Sequence, residues 1–262
     1  MMNYDDCFFG LPHGVSSYDN VSGRLIECGA KKRLPQNAKS VISVIFPYYL
    51  GEEYYKNSNI SRYAVSADYH IIAGDMLKEI SARLAALYPC NVFEPFMDSS
   101  PLPEVRCAVS AGLGVLGKNN LFISPVYGSW VFLGEIVTDL YISPTGGELN
   151  LCSGCSACAD ACPCGAINGG GINPQMCLSY LNQKKGELDD GVAEKMEENG
   201  CYWGCDVCQK VCPMNKKALP TPIKEFYSTA IPHISRGVDI DGRAFGWRGR
   251  AVIERNLSKD KG

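Results

Sequence analysis

The stretch Cys152-Ser-Gly-Cys155-Ser-Ala-Cys158-Ala-Asp-Ala-Cys162-Pro163 decides how this chain is read. Its spacing, C-x2-C-x2-C-x3-C-P, is one in which three thiolates hold one iron–sulfur cluster and the fourth reaches a second. Two-residue gaps wrap the backbone around a compact cube. The small residues Ser153, Gly154, Ser156 and Ala157 let backbone N–H groups point at its sulfides. Cys162 lies past the turn and faces away, and Pro163 keeps the chain from continuing as a helix. A second run, Cys205, Cys208, Cys212 and Pro213, has the last three members of the pattern and lacks the first. One further ligand must come from elsewhere: Cys177 or Cys201, with Cys164 a more distant choice. The preferred assignment puts Cys152, Cys155, Cys158 and Cys212 on one cluster, and Cys162, Cys177, Cys205 and Cys208 on the other. That exchange of ligands keeps two 4Fe–4S clusters close enough for fast electron transfer. Repeated C-x2-C pairs also suit tetrahedral zinc. The two Cys-Pro endings and the four-cysteine run favour iron–sulfur.

Outward from this run the chain divides. Pro144, Gly146 and Gly147 mark a boundary, after which the composition turns to Cys and Gly. Residues 1–145 read as an α/β (α+β) domain, 146–217 as a bacterial-ferredoxin-like two-cluster domain, and 218–262 as a Pro-punctuated tail with one short helix near Arg250 to Leu257. Ser40 to Tyr49 is apolar, β-branched and aromatic, and predicts a strand buried on both faces. Ile72, Met76, Ile80 and Leu84 recur at helical spacing, so Asp68 to Tyr88 reads as an amphipathic helix. Asn91 to Phe96 reads as a strand and Leu102 to Ala111 as a helix. Leu121 to Ile123, Trp130 to Leu133 and Glu135 to Ile142 read as three further strands, with a turn at Pro125 to Ser129. Residues 1–38 show only turn punctuation and read as loops with one short helix.

The 262 residues, 46% of them hydrophobic, suffice for a full core. A net charge of −3 gives no global reason to expect nucleic acid. Arg236, Arg243, Arg248, Arg250, Arg255, Lys259 and Lys261 against Asp239, Asp241, Glu254 and Asp260 read as a solvated face of the tail. No apolar run spans a bilayer, and the N-terminus has acidic residues where a signal peptide has basic ones. The expectation is a cytoplasmic protein with no membrane partner. In a reducing compartment, fourteen cysteines point to metal before disulfides. Cys7, Cys28, Cys90 and Cys107 read as buried structural thiols.

Residues from about Ala38 to Lys217 resemble the epoxyqueuosine reductase family, the cobalamin-dependent enzymes of queuosine-tRNA maturation. The likeness is carried by five stretches. The first two are Ser40 to Tyr49 and SRYAVSADYH (Ser61 to His70). The third is Asp98-Ser-Ser-Pro101 running on through LPEVRCAVSAGLGVLG (Leu102 to Gly117), followed by Lys118 and Asn119. The fourth is YGSWVFLGEIVTD (Tyr127 to Asp139), and the fifth is the cysteine region with Cys177-Leu-Ser-Tyr-Leu. The resemblance prefers Cys177 to Cys201 as the last ligand. It implies cobalamin bound between the first domain and the clusters, which feed electrons to cobalt so that an epoxide is reduced to an alkene. It implies Asp98 as the proton donor; from the sequence alone Asp98 reads as a helix N-cap. Arg62, Tyr63, His70, Ser99, Gly114, Lys118, Tyr127, Ser129 and Trp130 fall in the matching motifs and are the expected cofactor contacts. For His70, Tyr127 and Trp130 the alternative is an ordinary core residue. AGLGVLGK lacks the strand–helix context of a dinucleotide loop.

The resemblance further implies a low-potential electron donor of ferredoxin or flavodoxin type, and tRNA as a partner. It fails in residues 1–38 and lacks the helical-repeat region that helps larger members grip tRNA. Both departures touch substrate recognition and leave the electron path alone. Competing readings are a dehalogenase-like corrinoid reductase of a small molecule and a ferredoxin-like carrier without corrin. Dehalogenases use a Tyr as donor where this chain has Asp98, and a carrier has no need of the first domain.

Overall fold

The computed structural model describes residues 3–152, 154–168 and 171–259. Ser153, Asp260 and Lys261, invoked above, lie outside the described residues. The first module is built on a four-stranded sheet of β1 (His13–Ser17), β2 (Ser40–Pro47), β3 (Phe93–Phe96) and β6 (Val131–Thr138), in the order β1-β2-β6-β3 and antiparallel throughout. Its architecture is therefore α+β. A long helix, α1 (Tyr69–Leu87), covers one face and a short one, α2 (Glu104–Ser110), the other. A small hairpin, β4 (Val115–Leu116) with β5 (Phe122–Ile123), follows α2.

Strand β2 is buried along its whole length, as its apolar run requires. Side chains alternate between faces with period two. Ile42, Val44, Phe46 and Ile136 join the core that includes Leu77, Ile80 and Leu84 of α1. Val41, Ile45 and Val137 join clusters that include Cys107, Ala108 and Val109 of α2. Helix α1 starts where Asp68 accepts the N–H of His70 and caps it (2.9 Å). Leu77 and not Met76 sits on its fully buried stripe.

Two sequence expectations are corrected. The strands read as Trp130 to Leu133 and Glu135 to Ile142 are one continuous strand, β6. Gly134 does not interrupt it. A Cβ there would stand 2.8 Å from Leu77 Cδ2 and 3.1 Å from Phe46 Cε2, so the missing side chain lets α1 pack close. The strand stops at Thr138, where the Asp139 carboxylate takes the Val92 N–H (3.0 Å) in place of a ladder bond. The second correction concerns residues 1–38, which contain edge strand β1, in register with β2 from His13↔Val44 to Ser17↔Ser40.

The cysteine module meets the hairpin by a bridge between Leu116 and Leu151. It carries the short helices α3 (Ala157–Asp160) and α4 (Val207–Lys210). The segment read as a tail packs into the main core through Ile223, Phe226, Ile234, Phe245 and helix α5 (Arg250–Leu257), whose Val252, Ile253 and Leu257 are buried. Arg236 and Arg250 stay exposed, whereas Arg255 donates to the carbonyls of Asn182, Lys184 and Gly186. Among the described residues no helix is long and apolar enough to cross a membrane.

Candidate functional site

Cys152, Cys155 and Cys158 from the first run and Cys212 from the second line one cavity, together with Gly117, Lys118 and Asn119 at the tip of the β4–β5 hairpin. Cys177 lies within electrostatic reach of Cys205 and Cys208, and both Cys162 and Cys177 lie within reach of Cys164. Cys158 and Cys208 also act on each other, so the two groups are neighbours. Several sulfurs accept hydrogen bonds, as cluster thiolates do. Lys118 N donates to Cys152 Sγ (3.2 Å), Ala157 N to Cys155 Sγ (3.4 Å), Ala166 N to Cys162 Sγ (3.3 Å) and Asn119 Nδ2 to Cys208 Sγ (3.6 Å). The Cys201 thiol instead donates to the carbonyls of Trp203 and Gly204. Among the described residues no three His, Cys, Asp or Glu side chains converge on a single ion. The four sulfurs line a space between them.

A cleft runs over the first module beside these sulfurs. It consists of three basins of about 410, 280 and 510 Å³, and Asp98 lines all three. Asp98 and Ser99 both adopt left-handed backbone, φ 49° and 40°, in the turn that leads from β3 toward α2. Consecutive non-glycine residues there store strain of about 1–3 kcal/mol each, a feature that clusters at functional sites. The helix cap is Pro103, so Asp98 is not the N-cap that its sequence position suggested. The Tyr69 hydroxyl donates to Asp98 Oδ2, and Ser99 N donates to Oδ1 (2.8 Å). His70 Nε2 stands 3.8 Å from the same Oδ2, while its Nδ1 meets Asp68 Oδ1 at 2.8 Å. That bond to Asp68 raises the His70 pKa, and burial pushes the Tyr69 hydroxyl up so that it stays protonated. The carboxyl of Asp98 is 57% exposed and open to the cleft.

The expected cofactor contacts divide. Tyr63, His70, Ser99 and Ser129 line the cleft. Arg62 does not. It is 7% exposed, its guanidinium meets Glu52 (2.7 Å), and it lies over Trp130 and Tyr55 at 4.5 and 4.7 Å. Trp130 is likewise core, stacked near Tyr49. Gly114 is needed for packing: a Cβ would stand 2.2 Å from the Ile123 carbonyl oxygen. Lys118 faces the sulfur cavity, donating to the Cys155 carbonyl (2.6 Å). Tyr127 is half-buried in its turn and is not among the residues lining the cleft. Of the four thiols read as buried, Cys7 and Cys107 are; Cys90 is exposed and Cys28 half-buried at the cleft. Sequence reasoning missed Tyr69, Glu104 and the apolar floor of Val131, Phe132 and Leu133. Tyr69 stacks on Phe132 at 4.2 Å.

The two modules are joined beside the cleft. Asp206, between Cys205 and Cys208, is buried and accepts from Ser61 Oγ (2.5 Å) and Arg62 N (2.8 Å). Trp203 Nε1 donates to the Tyr63 hydroxyl (2.8 Å). Ser129 takes part in a similar junction with Gln209 and Asn215. The SRYA motif thus fastens the second cysteine run, and Tyr63 continues from that joint into the cleft wall.

Comparison with known proteins agrees with both halves. Residues 151–215 match the model of a 4Fe-4S double cluster binding domain, and residues 30–99 match the model described as epoxyqueuosine reductase QueG, DUF1730. The epoxyqueuosine reductase of Listeria monocytogenes is 35% identical over 207 residues, covering 72% of this chain and 53% of the relative. That of Lactococcus garvieae is 32% identical over 246 residues, covering 85% of this chain and 68% of the relative. The chain thus spans about half to two thirds of the length of these relatives. A crystal structure of epoxyqueuosine reductase with an epoxyqueuosine-modified tRNA-Tyr stem loop superposes with a TM-score of 0.78 at 26% identity, covering 95% of this chain and 77% of that one. With a double-cluster module docked on a cleft of this shape, and with identity of this extent, the chain belongs to the epoxyqueuosine reductase family.

Proposed function

We propose that this chain is a cobalamin-dependent iron–sulfur reductase that removes the epoxide oxygen from epoxyqueuosine in tRNA. The observation that carries the reading is Asp98, held on a strained turn where three basins meet, beside the docked cysteine module. Cys152, Cys155, Cys158 and Cys212 would hold one cluster, and Cys162, Cys177, Cys205 and Cys208 the other. They would take single electrons from a low-potential donor of ferredoxin or flavodoxin type.

The cleft suits a large flat ring. Its floor of Val131, Phe132 and Leu133 is apolar, Tyr63 and Tyr69 wall it, and Ser129 offers a polar edge. Bound there, cobalamin supplies a strongly reducing cobalt that accepts electrons singly and delivers them to a carbon–oxygen bond. The chain's own residues manage the protons. Tyr69 and Ser99 N fix the two oxygens of Asp98. The Asp98 carboxyl then gives its proton to the departing oxygen. Loss of the epoxide oxygen as water takes two electrons and two protons. The tRNA substrate, and the cytoplasmic setting that goes with it, are supported by the relative crystallised with a modified stem loop.

The test is anaerobic reconstitution with iron, sulfide and cob(II)alamin, followed by optical and EPR spectra and then by turnover on epoxyqueuosine tRNA. The reading expects about eight irons and one bound corrin per chain, and expects Asp98→Asn to slow product formation by about 10²–10⁴-fold without loss of bound corrin. Irons without corrin under any condition would leave only a two-cluster electron carrier.

A further inference from the structure

The side of the sheet under α2 holds polar groups that the scheme above leaves unused. Ser43 and Glu135 are cross-strand partners, so their side chains project to the same face, toward α2. Glu135 is completely buried, and both of its carboxylate oxygens lack a hydrogen-bond partner. Ser43 Oγ and Glu104 Oε1 are buried and equally unpartnered. An ionised carboxylate left so in an apolar interior costs several kcal/mol. In this polar pocket protonation of the acids removes that cost, and buried polar groups so placed are the kind that internal water bridges. The groups acting on this pocket are Glu104 and Cys107 from α2, Glu135 from β6, Asp98 from the turn and His70 from α1. Only His70 among them can carry positive charge.

Glu104 connects this pocket to the cleft. It lines two of the three basins that Asp98 lines, and the Asp98 carboxylate acts on it electrostatically across them. We propose that Glu104, with Glu135 and Ser43 behind it, is a proton store that recharges Asp98 within a single turnover. This rests on the reading of the cleft as an epoxide-reducing site. That reaction consumes two protons, and Asp98 carries one. The Asp98 O–H breaks as its proton passes to the leaving oxygen. The Glu104 O–H then breaks as the Asp98 O–H re-forms, and the second proton follows the first to release water. Glu135 returns a proton to Glu104 through internal water. The store refills from solvent through Asp98 once the product leaves. The two electrons come from the low-potential donor by way of the clusters.

Burial supports this placement. It pushes the Glu104 carboxyl up to about 7 and that of Glu135 well above the ordinary carboxylate range, each raised further by a neighbouring carboxylate. The store is therefore charged below about pH 7 and loses its first proton above it.

The test is infrared spectroscopy of reconstituted protein carrying carbon-13-labelled glutamate, followed by single turnover. Two protonated glutamic acid bands are expected at pH 6. One should be lost with a midpoint near 7 and vanish in Glu104→Gln; the other should persist and vanish in Glu135→Gln. In single turnover Glu104→Gln should slow product formation by about 10²-fold at unchanged substrate affinity. The fall in rate above pH 7 should disappear with it, and Glu104→Asp should restore part of both. Wild-type protein without the bands would overturn the store. Bands with a Glu104→Gln variant as fast as wild type would overturn the relay. If wild-type protein fails to reduce the epoxide at all, the reading of the cleft falls and the relay with it, while the bands still report the two protonated acids.

Discussion

The two faces of the central sheet are made by the same strands and serve different ends. Toward α1, Ile42, Val44, Phe46 and Ile136 meet Leu77, Ile80 and Leu84, an apolar contact drawn tight by Gly134. Toward α2, the same alternation places Ser43 and Glu135 between Val41, Ile45 and Val137. The first face is optimised for burial. The second gives up burial energy to hold acid groups behind a strained turn. Real proteins break the rules of packing and polar satisfaction at functional sites, and among the sheet's described side chains those buried without a partner, Ser16, Ser43 and Glu135, all lie on the α2 face.

The contrast can be broken by mutation, beginning where the effect is largest. Leu84→Ala on the α1 face should cost roughly 3 kcal/mol in denaturant unfolding, through lost transfer energy and a cavity at a fully buried site. Gly134→Ala should cost about 2 kcal/mol, because its Cβ would press on Leu77 and Phe46; a smaller residue at 77 should recover part of that. On the other face, Glu135→Met should leave stability unchanged or raise it, within about 1 kcal/mol at neutral pH, since an unpartnered acid is exchanged for an apolar chain of similar length. A loss there as large as that of Leu84→Ala would erase the distinction between the faces.

A further effect sharpens the comparison through pH. Glu104 is raised from its ordinary 4.5 to about 7 by burial. The folded state then binds a proton that the unfolded state has released, so this contribution to stability is fully present below about pH 4.5 and is lost as pH rises to about 7. Wild-type protein should show that decline in pH-dependent unfolding, and Glu104→Gln should lack it.

Much of this was legible in the sequence where one signal dominated. The apolar run of β2 required burial on both faces, and the periodicity of α1 with Asp68 before it fixed that helix to within a residue. Cysteine spacing grouped sulfurs from both runs that the fold brings to one cavity. Strand β1 was not legible. His-Gly-Val-Ser-Ser has little intrinsic strand character and is extended because β2 pairs with it. Gly134 misled because a glycine in a strand reads as a break when its partner helix is unseen. Arg62 and Trp130 lie in the right motif but face inward, and motif membership carries no side-chain direction. Glu135 did leave a trace, as the one charge within Trp-Val-Phe-Leu-Gly-Glu-Ile-Val, and an isolated charge in a buried strand is itself a pointer to chemistry.

The cavity shared by Cys152, Cys155, Cys158 and Cys212 has a consequence for how the protein matures. Its sulfurs come from opposite ends of the cysteine module, so a cluster seated there acts as a clasp that closes the intervening chain into a loop. Cys205, Cys208 and Asp206 lie within that loop, and Asp206 is what Ser61 and Arg62 hold. Closing the clasp therefore removes conformational freedom from the segment that aligns the cleft wall, much as a cross-link would. With that ligand set, iron loading would be coupled to the final shaping of the cleft. By the same logic, an oxidant that destroys the cluster would unfasten a wall it never touches.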